Sequence, residues 1–144
     1  MAIKYIEFTR AKDEFTEYFF VNKFDEDTVK LNNFTGIDRN IVSIVADDED
    51  TLETLVNLQD SKIEATEITY ADFRSAVKDS LQVKRINNVV KEKIAEKYDY
   101  ADEIKLLKED ETNDERIAYE GYVDSCKEIG NDLKREIGYL VDEG

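Results

Sequence analysis

The chain contains no histidine and a single cysteine, Cys126, among its 144 residues. Without histidine there is no Ser–His or Cys–His nucleophile pair, and the commonest general base and metal ligand are missing. One cysteine closes no disulfide within the chain and builds no cysteine-based zinc site. Lys127 adjoins Cys126, but the cysteine falls on an apolar helical stripe, where it reads as a small buried hydrophobe. Carboxylates are the abundant chemical groups, 35 in all. The densest cluster is Asp47-Asp48-Glu49-Asp50. Hard cations take oxygen ligands, but this run has neither the D-x-D-x-D-G pattern nor the closing Glu of a calcium loop. It reads as the solvated start of a helix. Glu109-Asp110-Glu111, with Asp114 and Glu115, reads as an exposed turn between helices. With so many carboxylates, some pair lies within reach by chance, so pairing alone does not mark a hydrolase. The expectation is a non-enzymatic chain with no catalytic residue, no cofactor and no metal site.

The net charge of -15 is unevenly placed. Residues 1–69 and residues 95–144 each carry 16 acidic and 7 basic side chains, net -9 apiece, while residues 70–94 carry 3 acidic and 6 basic, net +3. Two acidic lobes therefore flank one basic segment. Such a charge disfavours binding to nucleic-acid phosphate and to anionic membranes. It leaves open an acidic decoy for a DNA-binding protein, although seven cations dilute each lobe. No apolar run approaches the roughly 18–20 residues of a membrane span. Met1–Arg10 has no signal-peptide design.

Hydrophobic periodicity places the elements that would hold any site. Ala2–Phe8 reads as a strand, with Ile6 and Phe8 on one face and Ile3 and Tyr5 on the other. Phe15–Val21 is aromatic-rich and reads as a second strand. Asp25-Glu26-Asp27 turns the chain into Thr28–Leu31, closed by Asn32-Asn33 and Gly36. Asn40–Ala46 is the clearest buried strand. A short helix runs through Gln59 with Leu52, Leu55 and Val56 inward, and Lys62–Thr69 is a further strand. One long helix is expected over residues 70–97, opened by Thr69 with Asp72. Asp99 caps a short helix to Lys108, with Ile104, Leu106 and Leu107 inward. Thr112 with Glu115 forms a capping box for a last helix over residues 113–140. Its stripe is Ala118, Tyr122, Cys126, Ile129, Leu133, Ile137 and Leu140. Gly130 or Gly138 marks either a close-packing point or an early end. No proline interrupts any helix.

Strands first and helices afterwards predict an α+β fold. The reading is a small mixed or antiparallel N-terminal sheet with one helix over residues 1–69. A long helix and a C-terminal helical hairpin follow over residues 70–144, with no flexible linker between the two parts. Interface candidates come from the second part. Tyr98, Tyr100, Tyr119 and Tyr122 concentrate there, and tyrosine is enriched where proteins meet. Arg74, Lys78, Lys84 and Arg85, followed by Lys91 and Lys93, form no single stripe. They are expected to pair with the acidic lobes, in the same chain or in a neighbour.

The stretch Lys97-Tyr98-Asp99-Tyr100-Ala101-Asp102-Glu103-Ile104-Lys105-Leu106-Leu107 is followed by Glu115, Tyr119, Tyr122, Val123, Cys126 and Lys127. Together these resemble a helical segment near the C-termini of small tailed-bacteriophage proteins, many of them tail-associated or tail-fibre-assembly proteins. The resemblance covers roughly residues 84–130. The chain departs from the pattern in lacking proline and tryptophan. The resemblance implies a phage origin and a structural or assembly role. The protein would then act in the host cytoplasm during assembly and in the virion, with other phage structural proteins or copies of itself as partners and a homo-oligomer as one form. It carries over no functional residues.

Overall fold

A computed structural model describes residues 1–141. It contains β1 (Ala2–Phe8), β2 (Ala11–Lys12), β3 (Glu17–Tyr18), β4 (Val29–Phe34), β5 (Ile41–Ala46), α1 (Glu49–Asn57), β6 (Ala65–Glu67), α2 (Tyr70–Val77), α3 (Leu81–Lys97), α4 (Tyr100–Leu107) and α5 (Asp114–Glu136). The fold is α+β. An antiparallel sheet in the order β4-β5-β1-β6 is followed by a helical part, and β2 and β3 form a separate small hairpin.

Strand alternation explains the two hydrophobic cores. In β1 and β5 the pairing runs from Ala2 opposite Ala46 to Glu7 opposite Ile41. Successive side chains point to opposite faces. One face carries Ile6, Phe8, Val42, Ile44 and Val29, packed on Leu52 and Leu55 of α1 with Phe20 and Ile63. The other carries Tyr5, Phe34 and Ile41, packed on Phe73 and Val77 of α2, Val83 of α3, and Tyr139. The sheet is thus covered on both sides, which is why β5 is apolar at every position but Ser43. The second core draws side chains from both sides of residue 69.

The C-terminal end of the chain is stitched to the sheet by three hydrogen bonds. The Tyr5 hydroxyl donates to the Gly138 carbonyl at 2.9 Å, Ser43 Oγ to the Ile137 carbonyl at 2.6 Å, and the Tyr70 hydroxyl to the Tyr139 carbonyl at 2.9 Å. Burial, together with neighbouring Tyr70, pushes the Tyr5 hydroxyl pKa up to about 12.

Several expected elements differ from those observed. The helix over residues 70–97 is two helices. It breaks before Ser80, whose hydroxyl caps α3 by accepting from the Val83 amide. The Leu81 amide donates to the Thr35 carbonyl instead of continuing the first helix. The break lets Phe73 and Val77 point at the sheet while Val83 and Ile86 restart a new inner face. The strand expected over Phe15–Val21 reduces to the two residues of β3, because Asp13 folds the preceding residues into a tight turn. The strand after Asp27 continues through Asn32 and Asn33 to Phe34. Asn113, not Thr112, caps α5, since Thr112 is turned towards Asp110. The last helix ends at Glu136, where Gly138 adopts a positive φ of 77° that favours glycine. The inner stripe of α5 is also displaced by one position at two places, with Tyr119 buried and Ala118 exposed, and Gly130 buried and Ile129 exposed.

α3 and α5 lie antiparallel and touch closely. Gly130 of α5 faces Val90 and Ile86 of α3, and a Cβ there would stand 2.5 Å from Val90 Cγ2. Further along, the Tyr122 hydroxyl donates to the Lys93 carbonyl at 2.6 Å. Gly130 is therefore the close-packing point and Gly138 the early end.

Candidate interaction site

Three of the four candidate tyrosines come together. Tyr98 lies between α3 and α4, with its ring centroid 4.9 Å from that of Tyr119 and 5.7 Å from that of Tyr122. The Lys97 ammonium stands 4.9 Å from the Tyr122 centroid, within range of a cation–π attraction. The Tyr119 hydroxyl donates to Glu103 at 3.0 Å. Burial, reinforced by Glu103, raises the Tyr119 pKa. Burial and the neighbouring Cys126 raise that of Tyr122. These three rings cement α3, α4 and α5 to one another, with the Tyr119 and Tyr122 hydroxyls satisfied inside the chain. Tyr100 stands apart and is 78% exposed.

The basic candidates also divide. Arg74 lies 4.8 Å over the Tyr139 ring and donates to the Tyr70 hydroxyl at 3.0 Å, which raises its pKa. It is tied into the second core. Lys78, Lys84 and Arg85 are exposed and form no ion pair with the described residues. Their expected pairing with the acidic lobes is not found among the described residues. Ion pairs fall instead to cations outside the basic segment. Lys4 approaches Glu67, Lys62 holds Asp13, Arg116 holds Glu120, and Arg135 holds Glu128 and Asp132. Arg39 clasps Glu7 at 2.7 Å and Asp72 at 2.9 Å, bridging the sheet to α2. Its guanidinium holds both carboxyls below their ordinary pKa values.

The carboxylate clusters have structural duties. Asp48 caps α1 by accepting from the Thr51 amide at 2.7 Å. Asp110 accepts from the Thr112 amide at 2.8 Å. Among the described residues no group of three or more His, Cys, Asp or Glu side chains is arranged to hold a metal ion. Cys126 is buried. No helix among them is long and apolar enough to cross a membrane.

Three surface features can make contacts. The first is α4, whose inner side packs through Leu106 and Glu103. Its outer side carries Tyr100, Ile104 and Leu107, respectively 78%, 39% and 54% exposed. Their i, i+4, i+7 spacing aligns them along one face. The second is Phe15 at the tip of the β2–β3 hairpin, 90% exposed. The turn beneath it is held by Asp13, whose carboxylate accepts from the Phe15 and Thr16 amides, the Tyr18 hydroxyl and the Lys62 ammonium at 2.9–3.1 Å. Lys62 first, then these other donors, hold the Asp13 carboxyl well below the usual carboxylate range. The third is an open cavity of about 550 Å³ lined by Met1, Ile3, Tyr5, Tyr70, Arg135, Leu140 and Val141.

Ile104 and Leu107, expected on the inner face of their helix, lie instead on its outer side beside Tyr100. Phe15, expected within a strand, stands in the turn between β2 and β3. The signal available was Asp13 two residues earlier, since an aspartate that accepts from the amide two residues on makes a turn. The chain matches no protein-family model, none of the curated proteins and none of the solved structures.

Proposed function

We propose that the chain is a non-enzymatic contact protein of a tailed bacteriophage, acting in the virion tail or during its assembly in the host cytoplasm. The observation that carries the contact reading is the outer face of α4. Single exposed apolar residues are ordinary. Three aligned on one face of a short helix, in a chain with 38% charged residues, suit a partner's apolar surface. The phage assignment is supported by the resemblance of roughly residues 84–130 to small tailed-bacteriophage proteins, many of them tail-associated or tail-fibre-assembly proteins. Carboxylates interleaved with Arg39, Lys62, Arg116 and Arg135 favour contact with a protein over imitation of a continuous phosphate surface.

The test is to detect the protein by mass spectrometry in purified particles and in assembly intermediates, and to cross-link it to its neighbours. Cross-links should map to α4. Leu107→Glu should leave folding intact and lower incorporation at least tenfold. Absence from both particles and intermediates would remove the phage reading. Normal incorporation of the Leu107→Glu variant would remove α4 as the contact surface.

A further inference from the structure

Where β4 turns into β5, another open cavity of about 550 Å³ has an aromatic floor, two arginines and no carboxylate in its wall. We propose that it binds a small aromatic carboxylate, with the ring on the phenylalanines and the carboxylate on Arg10 and the side-chain amides of Asn33 and Asn40. The site shares no residue with α4 and does not rest on the contact reading.

Sheet register builds the wall. Asn33 pairs with Val42 and Phe34 with Ile41. Alternation then puts Asn33 and Asn40 on the face of Val42, which is also the face of Phe8. The Phe8 amide bonds the Asn40 carbonyl at 3.0 Å, so these two residues stand side by side. Phe20 closes over Phe8, with ring centroids 5.9 Å apart. Gln59 fixes the segment behind Phe20. It accepts from the Val21 amide and donates to the Val21 carbonyl, each at 2.8 Å. The floor therefore exists before any ligand arrives, which lowers the ordering cost of binding. Its volume lies in the range of small-molecule sites, about 300–1,000 Å³.

Three polar side chains on this cavity are uncommitted. Those of Arg10, Asn33 and Asn40 make no hydrogen bond or ion pair with the described residues. The Arg10 guanidinium lies over the Phe19 ring, 4.7 Å from its centroid. That attraction positions the head without using an N–H, so its whole fork is left for a planar oxyanion. Arg39 also lines the cavity, but it is spent on Glu7 and Asp72. Asp38, in the adjoining loop, is not part of the wall. In a chain with 35 acidic and 20 basic residues, a wall without a carboxylate is a local reversal of charge. The cavity beside Lys4, by contrast, carries Glu53 and Glu67. An uncommitted guanidinium selects an anion, and the phenylalanines select a flat apolar ring. The net charge of -15 repels a dianion more than a monoanion, which favours carboxylate over phosphate.

The test is titration of the whole chain with 1-naphthaleneacetate, followed by amide chemical shifts. Binding should saturate with a Kd of about 0.1–1 mM, as expected of a ligand of this size. The shifts should centre on Phe8, Phe19, Asn33 and Asn40. The neutral 1-naphthaleneacetamide should bind at least about tenfold more weakly, and acetate should not saturate by about 10 mM. Arg10→Gln should weaken the acid about tenfold and leave the amide unchanged. Asn33→Asp should abolish binding of the acid by placing a carboxylate in the wall. Both positions are exposed, so both variants should keep the wild-type thermal midpoint. Equal affinity for acid and amide would overturn the proposal, as would undiminished binding by Arg10→Gln. So would the absence of binding, shifts centred on another part of the chain, or tighter binding of 1-naphthyl phosphate than of the carboxylate. Leu107→Glu should bind the acid like wild type, so failure of this site and failure of the α4 contact are distinguishable.

Discussion

Replacing Gly130 with alanine should destabilise the protein, whereas the same replacement at Gly121, two and a half turns earlier in α5, should stabilise it. Both glycines are helical, and each change to alanine gains about 1 kcal/mol of helix propensity. At Gly121 a Cβ would meet nothing within 4 Å, so the gain is retained. At Gly130 the new Cβ would lie 2.5 Å from Val90 Cγ2, against about 3.5–4.0 Å for a comfortable carbon contact. Valine is stiff at χ1 in a helix, so the methyl cannot swing aside at low cost. α3 and α5 must then separate, and overpacking of this kind costs about 1–3 kcal/mol. The net effect at Gly130 is a loss of about 1 kcal/mol, and the two variants should differ by about 2 kcal/mol, the overpacking cost itself. Urea unfolding followed by circular dichroism at 222 nm measures both. In thermal scans the midpoints should move in opposite directions by about 2–4 °C each for a chain of this size. The double-mutant cycle with Val90→Ala isolates the cause. With the methyl removed, Gly130→Ala should become stabilising, giving a coupling of about 2 kcal/mol. Equal stabilisation by both single variants, or additive effects in the cycle, would refute the close approach of α3 and α5 at Gly130.

The Arg39 clasp should give the protein an acid-sensitive component of stability. Glu7 and Asp72 are held below their ordinary values in the fold, so their contribution is present above those values and disappears as pH falls through the depressed ones. Arg39→Met should lower the urea midpoint at neutral pH and flatten its decline in acid. At the alkaline end the sign reverses. Tyr5 is held protonated up to about pH 12, so its contribution is complete below the ordinary tyrosine value of 10.0 and is lost as pH rises from there through the folded value. Tyr5→Phe should remove that alkaline loss, measured as the thermal midpoint between about pH 9 and pH 12. Ser80→Ala should cost about 1 kcal/mol by uncapping α3, and hydrogen exchange should quicken first at the amides of Leu81 to Val83.

Local sequence chemistry made much of the framework readable. Ile3 and Tyr5 alternate with Ile6 and Phe8, and this assigned β1 two covered faces, which Phe73 and Leu52 fill from opposite sides. Thr69 and Asp99 were legible as caps because each accepts a hydrogen bond from a nearby amide of its own helix. Ser80 was not legible as a break. Serine is tolerable inside a helix, and what ends α2 is distant, the Thr35 carbonyl drawing the Leu81 amide. Among the interface candidates, Tyr98, Tyr119 and Tyr122 share composition with Tyr100, yet the first three cement the helices and the last faces solvent. No local pattern separates them, because the separation depends on where α4 crosses α5.

By itself, the sequence determined the absence of histidine chemistry, the order of strands before helices and most helix starts. These depend on side-chain type or on contacts within a few residues. Tertiary structure alone decided which apolar groups stay outside, Phe15, Tyr100, Ile104, Leu107, Ile117 and Ile129 among them, and that Gly130 rather than Gly121 is the close approach. Exposure is a property of how elements cross, and two helices can hide only the faces they turn toward each other.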